Sequence, residues 1–94
     1  MQSKNKKPPT ADEKRHIENI KGMRCIVCDA SPPSECHEIE QGQWFTSMPL
    51  CADCHRGSFN GIHGQKRIWS VKRMDEMSAL NETIRKILEV SKNM

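Results

Sequence analysis

Apolar residues recur at helical spacing in two main stretches of the chain, one near each end. In the first stretch, Thr10 and Glu13 fit a capping box, and Ile17 and Ile20 form a short apolar stripe before Gly22. This pattern predicts one short helix that ends at the glycine.

The second stretch begins at Asp75, which suits a helix N-cap, and predicts a C-terminal helix over about residues 75–91. Its apolar residues share one face, and a chain this short needs such a face for its own core. We therefore expect that face to be buried. Its members are Met77, Leu80, Ile84, Ile87 and Leu88.

Between these helices the chain is divided into short segments. Alternating positions predict a strand, a proline at position 49 suits an edge strand after it, and glycines interrupt the helical spacing that follows. The predicted segments are a strand at 37–45, a second strand or extended segment at 46–50, a helix from about residue 52, a flexible loop at 57–64 and helical spacing at 65–73. Together they predict an α+β fold.

A structural metal ion is expected, because the chain has 94 residues, is 35% hydrophobic and can bury only a modest core. Its five cysteines are odd in number, and no apolar run suits a signal peptide or a membrane span. We therefore expect a cytoplasmic protein stabilised by structural zinc, not by disulfides. A membrane is not expected among its partners. Two Cys-x-x-Cys pairs supply four thiolate ligands: Cys25, Cys28, Cys51 and Cys54.

A second set of candidate ligands or bases remains once this zinc is satisfied: Cys36, His37, His55 and His63. Strand, zinc turn and helix would bring the four together and leave coordination positions open for a phosphate and water. This arrangement predicts a second divalent ion, which could be magnesium, manganese, nickel or zinc. His16, on the first helix, is more simply an ordinary surface or core residue.

Charge is segregated along the chain. Residues 1–24 carry seven basic and three acidic side chains, residues 25–54 five acidic and no basic ones, and residues 55–73 five basic and no acidic ones. The Lys-, Asn- and Pro-rich residues 1–9 are expected to form a disordered basic tail, which leaves 10–94 as a single domain. A basic stretch after the histidines would attract a polyanion, although a solvated basic face is the simpler interpretation of charge alone.

The order of the motifs resembles a known family. After His37-Glu38-Ile39 the chain runs through Met-Pro-Leu-Cys-x-x-Cys-His-Arg and a Gly-rich loop to Gly-Ile-His-Gly-x-Lys-Arg-x-Trp. This order is similar to the phage-encoded RecA-dependent nucleases, the recombination enhancement function family, which belong to the HNH or ββα-metal nucleases. The match covers about residues 23–72, and it implies a small zinc-stapled ββα-metal domain with flanking helices.

The resemblance also implies an activity: metal-dependent DNA endonuclease cleavage of low sequence specificity, linked to recombination in a bacterial host cell. His37 would be the general base, and His55 and His63 would hold the catalytic ion. DNA and a RecA-type recombinase filament would be the partners. Residues expected to contact DNA phosphates are Arg56, Lys66, Arg67, Lys72 and Arg73.

Two positions differ from the family pattern. Where the family reads His-His-Ile, this chain has Cys36 before His37, and a thiolate ligand favours zinc over magnesium. No obvious Asn is available to orient His37, so that Gln41, Gln43 or a backbone carbonyl would have to do so. The alternative hypothesis is therefore a catalytically inactive zinc-knuckle module that binds nucleic acid or acts as an adaptor.

Overall fold

A computed structural model describes residues 7–92 and shows an α+β fold built from a two-stranded antiparallel sheet and four helices. Most of the predicted tail over 1–9 lies outside the described residues. The elements in chain order are α1 (Ala11–Lys21), β1 (Glu35–Glu38), β2 (Ser47–Leu50), α2 (Ala52–Arg56), α3 (Arg67–Val71) and α4 (Glu76–Lys92).

Helix α1 begins and ends where the sequence predicts. The Thr10 hydroxyl accepts a hydrogen bond from the Glu13 backbone N–H, and the Glu13 carboxylate accepts one from the Thr10 backbone N–H, which completes the capping box. Gly22 follows the last turn as the C-cap. Ile20 is fully buried, whereas His16 is half-buried with its ring 5.3 Å from that of Phe45.

The sheet is shorter than predicted. Strand β1 spans only Glu35–Glu38, and the prediction of an extended strand through residue 45 is wrong. The chain turns instead at Gly42, which has a positive φ of 90°, and the Gln43 N–H donates to the Glu40 carbonyl at 3.0 Å. Residues 39–46 therefore connect the strands and do not extend them. The second strand is confirmed at Ser47–Leu50, and all four of its residues are buried.

Helix α4 is capped as predicted, because the Ser78 N–H donates to the Asp75 carboxylate at 2.8 Å and the Asp75 N–H donates to the Ser78 hydroxyl at 2.9 Å. The prediction that its apolar face is buried is wrong for most of the helix: Met77, Ile84 and Leu88 are 67%, 45% and 56% exposed. The first turns of α4 pack on β2, and the helix then extends past this small core. Its buried residues are Ala79, Leu80 and Thr83.

The core forms around Trp69 of α3, which is 1% exposed and donates its indole N–H to the Cys54 carbonyl at 3.0 Å. Met48 and Leu50 of β2 are fully buried beside it in the same core, which also contains Cys25 and Cys54. Two cysteines thus belong both to the core and to the predicted zinc site. Within residues 7–92, no helix is long and apolar enough to cross a membrane.

Candidate metal centres

The four cysteines of the two Cys-x-x-Cys pairs form a group, here called the cysteine cluster, in which all sulfur atoms lie within 4.8 Å of one another. The Cys28 and Cys51 Sγ atoms are 3.6 Å apart. A tetrahedral zinc ion with Zn–S bonds of about 2.3 Å places its sulfur ligands about 3.8 Å apart. The cluster therefore has the geometry of a closed structural zinc site.

Backbone hydrogen bonds bring the first pair to the second. The Asp29 N–H donates to the Cys25 carbonyl at 2.9 Å, and Asp29 has a left-handed φ of 65°, which closes the turn around the two thiols. The Ile26 N–H donates to the Pro49 carbonyl at 2.9 Å and ties this turn to β2. Because Cys51 follows β2 directly and caps α2, both pairs are held by the same strand.

The electrostatics of the cysteine cluster favour a bound cation. Burial raises the pKa of Cys54, and the charge on the neighbouring Cys25 raises it further. Burial also opposes ionisation of Cys25, but hydrogen bonds from backbone N–H groups, led by that of Cys28, outweigh it and lower its pKa. Thiolates packed this closely repel one another, so a divalent cation is what allows all four to ionise together.

A second group, here called the histidine cluster, consists of His37 from β1, His55 from α2 and His63 from the loop after α2. Their ring centroids form a nearly equilateral triangle with sides of 5.0, 5.2 and 5.0 Å. His37 Nδ1 and His55 Nε2 are 3.2 Å apart. With Zn–N bonds of about 2.0–2.1 Å, tetrahedral nitrogen ligands lie about 3.3 Å apart, so the cluster fits a metal ion.

His63 reaches the cluster because the loop at 57–64 folds back onto α2. The His63 N–H donates to the His55 carbonyl at 3.3 Å, and the Gly61 N–H donates to the Gly57 carbonyl at 2.9 Å. A Cβ atom on Gly61 would lie 2.6 Å from the Gly57 backbone N and O, so the chain passes too close for any side chain. The predicted flexible loop is thus closed by a network of backbone hydrogen bonds.

Two carboxylates that the sequence did not reveal hold the outer nitrogens of two histidines. Glu35 Oε1 lies 2.7 Å from His55 Nδ1, and Glu76 Oε2 lies 2.6 Å from His37 Nε2. Glu35 could have been found, because strand alternation places it on the same face as His37. Glu76 is 39 residues away from its histidine and gives no local signal.

Arg56 is engaged with Glu35 in this arrangement. Its guanidinium donates to both carboxylate oxygens, at 3.0 Å from Nε to Oε1 and at 2.5 Å from Nη2 to Oε2. These hydrogen bonds lower the pKa of Glu35 to about 2. Desolvation acts in the opposite direction, and the contact with His55 lowers the pKa further. The carboxylate beside His55 is therefore ionised at neutral pH.

The structure does not bring Cys36 into the histidine cluster. Cys36 lies between Glu35 and His37 on β1, where alternation directs neighbouring side chains to opposite faces. Its thiol is not among the ligand atoms that converge with the histidines in the described part of the chain. Burial raises its pKa, which favours the neutral thiol.

An open pocket of about 360 Å³ lies over the histidine cluster. Glu76 and all three histidines line it, and Cys36 contributes to its wall. His37 is only 5% exposed, whereas His63 is exposed. In the cysteine cluster, Cys25 and Cys54 are buried, with 2% and 1% of their surface exposed, and Cys28 and Cys51 are half-buried. The two clusters thus differ in their access to a ligand.

The residues predicted to contact DNA are all exposed: Arg56, Lys66, Arg67, Lys72 and Arg73. Lys66 and Arg67 follow His63 by three and four residues, at the start of α3. The Arg67 guanidinium lies 5.6 Å from the centroid of the Phe59 ring, a cation–π distance.

No protein-family model, curated protein or solved structure matches this chain. Its function is therefore inferred from the two clusters and from the surfaces around them.

Proposed function

We propose that this chain is a divalent-metal-dependent endonuclease that hydrolyses phosphodiester bonds in DNA, built on a zinc-stapled ββα-metal (HNH-like) domain. The observation that carries the proposal is the histidine cluster: three histidine rings from separate elements converge under an open pocket, beside a cysteine cluster that already has four ligands. A purely structural zinc module does not need this second, open set.

The two clusters support different roles by their ligand number. Structural zinc sites are closed with four protein ligands, whereas catalytic sites keep at least one position for water or substrate. The histidine cluster offers fewer than four ligands and lies under an open pocket, which matches the second description. A divalent ion bound there would polarise the scissile phosphate and stabilise the leaving oxygen.

The chain's own residues would position the substrate around this ion. His55 and His63 would hold the ion, and the resemblance assigns His37 the role of general base. Exposed Lys66 and Arg67, close to His63 in the sequence, would neutralise backbone phosphates. Because the proposed contacts are charges, cleavage should depend little on DNA sequence. The RecA-type filament that the resemblance implies would present the DNA strand.

The test is nicking of supercoiled plasmid by the zinc-loaded protein, with magnesium, manganese, nickel or additional zinc, and with or without a RecA-coated single strand. The proposal expects nicking that requires an added ion and that disappears in His63→Ala. Cys36→Ser is the matched control, because Cys36 lines the same pocket outside the histidine cluster, and it should still nick DNA. Absence of nicking with every ion and with the filament would overturn the proposal.

The second candidate is a non-catalytic zinc module that binds nucleic acid or acts as an adaptor. The exposed apolar face of α4, with Met77, Ile84 and Leu88, favours it, because such a face suits a partner surface. Under this hypothesis His63→Ala should leave DNA binding unchanged. Neither the wild type nor any variant should nick plasmid above background.

A further inference from the structure

We infer that His37 is the third metal ligand of the histidine cluster and not its general base, and that Glu76 of α4 is the positioning residue that orients it. This inference deepens the proposed function, since it rests on the same metal site. It changes which side chains bind the ion, and it makes the C-terminal helix part of the site.

The hydrogen bonds of the cluster form a row that runs from Glu35 through His55 and His37 to Glu76, with contacts of 2.7, 3.2 and 2.6 Å. A neutral imidazole carries a single N–H. If each histidine donates that N–H to its carboxylate, the two inner nitrogens face each other with lone pairs only. Such a contact at 3.2 Å is repulsive unless a positive charge lies between the nitrogens.

A metal ion supplies this charge better than a single proton does. A proton can bridge only two nitrogens, but His63 completes a triangle whose centroids lie 5.2 Å from His37 and 5.0 Å from His55. The ligand nitrogens of all three residues lie within 4.8 Å of one another. Three inward-facing imidazoles are a common ligand set for catalytic zinc.

The surroundings of His37 do not suit a general base. A base needs a free lone pair that faces the attacking water. His37 is 5% exposed, its Nε2 contacts Glu76, and its Nδ1 faces His55 inside the cluster. Both nitrogens are therefore engaged as expected for a ligand whose outer N–H is held by a carboxylate.

Glu76 is fixed in place by its position at the start of α4. The reciprocal hydrogen bonds between Asp75 and Ser78 set the first turn of the helix, and the next turn is anchored by Ala79 and Leu80, which are buried in the core. The carboxylate is thus presented to His37 by packing elsewhere in the fold. Carboxylates that hold ligand histidines in this way set the tautomer and the ring orientation.

This ligand set also has a consequence for the choice of ion. Three imidazole nitrogens suit zinc, nickel or other transition ions, whereas magnesium requires oxygen ligands. We therefore expect a transition ion to bind the histidine cluster much more tightly than magnesium does.

The experiment measures binding of a second ion to full-length protein whose cysteine cluster already holds zinc. Cobalt(II) is titrated in, and binding is followed by its visible absorption and by native mass spectrometry. The wild type should bind a second ion. His37→Ala should lose the second ion, and Glu76→Ala should weaken its binding by about 10- to 100-fold. Glu76→Gln keeps an acceptor oxygen, so its affinity for the second ion should lie between those of the wild type and Glu76→Ala. Glu89→Gln, an exposed change on the same helix, should bind cobalt like the wild type.

A nitrogen-15 spectrum of the histidine rings gives a readout that does not depend on mutation. In zinc-saturated wild type, His37 should be metal-bound at Nδ1 and protonated at Nε2. A free His37 ring, or second-ion affinity in His37→Ala equal to that of the wild type, would overturn the inference and restore the role of base. Full second-ion binding without any DNA cleavage would overturn only the nuclease proposal. Circular dichroism of each variant distinguishes ligand loss from unfolding.

Discussion

The cysteine and histidine clusters share one helix of five residues, yet they are built in opposite ways. Cys51 and Cys54 bring α2 into the core, where Cys54 is 1% exposed, whereas the adjacent His55 faces an open pocket. Four thiols close the first cluster, and three imidazoles leave the second one open. Adjacent residues of the helix, Cys54 and His55, thus belong to a closed candidate zinc site and to an open candidate ligand site.

The support for the two clusters differs as well. The cysteine cluster is stabilised by burial and by local backbone hydrogen bonds around two short turns. The histidine cluster is oriented by carboxylates, Glu35 from β1 and Glu76 from α4, at distances of 2.7 and 2.6 Å. We therefore expect substitutions at the first cluster to affect folding, and substitutions at the second to affect ion binding and activity.

The largest effect should come from Cys54→Ser. This change removes a zinc ligand from the centre of the core, and small zinc domains lose their fold with their metal. We expect the cooperative thermal transition in circular dichroism to disappear, as it should also after strong chelation. Cys36→Ser, outside both clusters, should change the free energy of unfolding by about 1 kcal/mol or less. A wild-type transition in Cys54→Ser would show that the cysteine cluster does not hold the fold.

His63→Ala should separate activity from folding. The His63 side chain is exposed, so its removal should alter the free energy of unfolding by about 0.5 kcal/mol or less. Loss of a metal ligand should nevertheless weaken binding of the catalytic ion and lower plasmid nicking by about 100-fold. Thermal unfolding and nicking are measured on the same preparation. If both fall together, the contrast between the clusters does not hold.

Gly61→Ala should have an intermediate effect, on the loop after α2 that carries His63. The new Cβ would lie 2.6 Å from the Gly57 backbone, and such overpacking typically costs about 1–3 kcal/mol. We expect a lower midpoint of denaturant unfolding together with weaker binding of the second ion, since the loop carries His63. Gly22→Ala is the matched control, because its Cβ would meet nothing closer than 3.6 Å, and the midpoint should hardly change.

The smallest effect should come from neutralising the basic residues beside the histidine cluster. Replacing Lys66 or Arg67 with Gln should flatten the salt dependence of DNA binding by about one unit for each phosphate that the side chain no longer neutralises. Folding and second-ion affinity should stay unchanged, because both side chains are exposed. Binding titrations over a range of salt concentrations measure the slope. An unchanged slope would exclude these residues from the DNA interface.

The sequence predicted most clearly those features whose signals are local. The capping box at Thr10 and Glu13, the cap at Asp75 and the two Cys-x-x-Cys turns each depend on residues a few positions apart, and the structure contains all of them. The start of α2 near Ala52 was predicted for the same reason.

The features that the sequence did not predict depend on tertiary packing. Periodicity places Ile84 and Leu88 on one face of α4, but it does not indicate that the helix extends beyond the core and leaves both side chains exposed. Alternation continued past Glu38, yet a turn with positive φ at Gly42 ends the strand. The contact of Glu76 with His37 joins residues 39 apart, which no local pattern encodes.

The sharing of α2 sets an order of assembly. A helix of five residues is too short to form by itself, so we expect the position of His55 to depend on zinc binding by Cys51 and Cys54. Binding of an ion to the histidine cluster should then require prior binding of zinc to the cysteine cluster. A chain without zinc at the cysteine cluster should therefore also lack a formed site for a second ion.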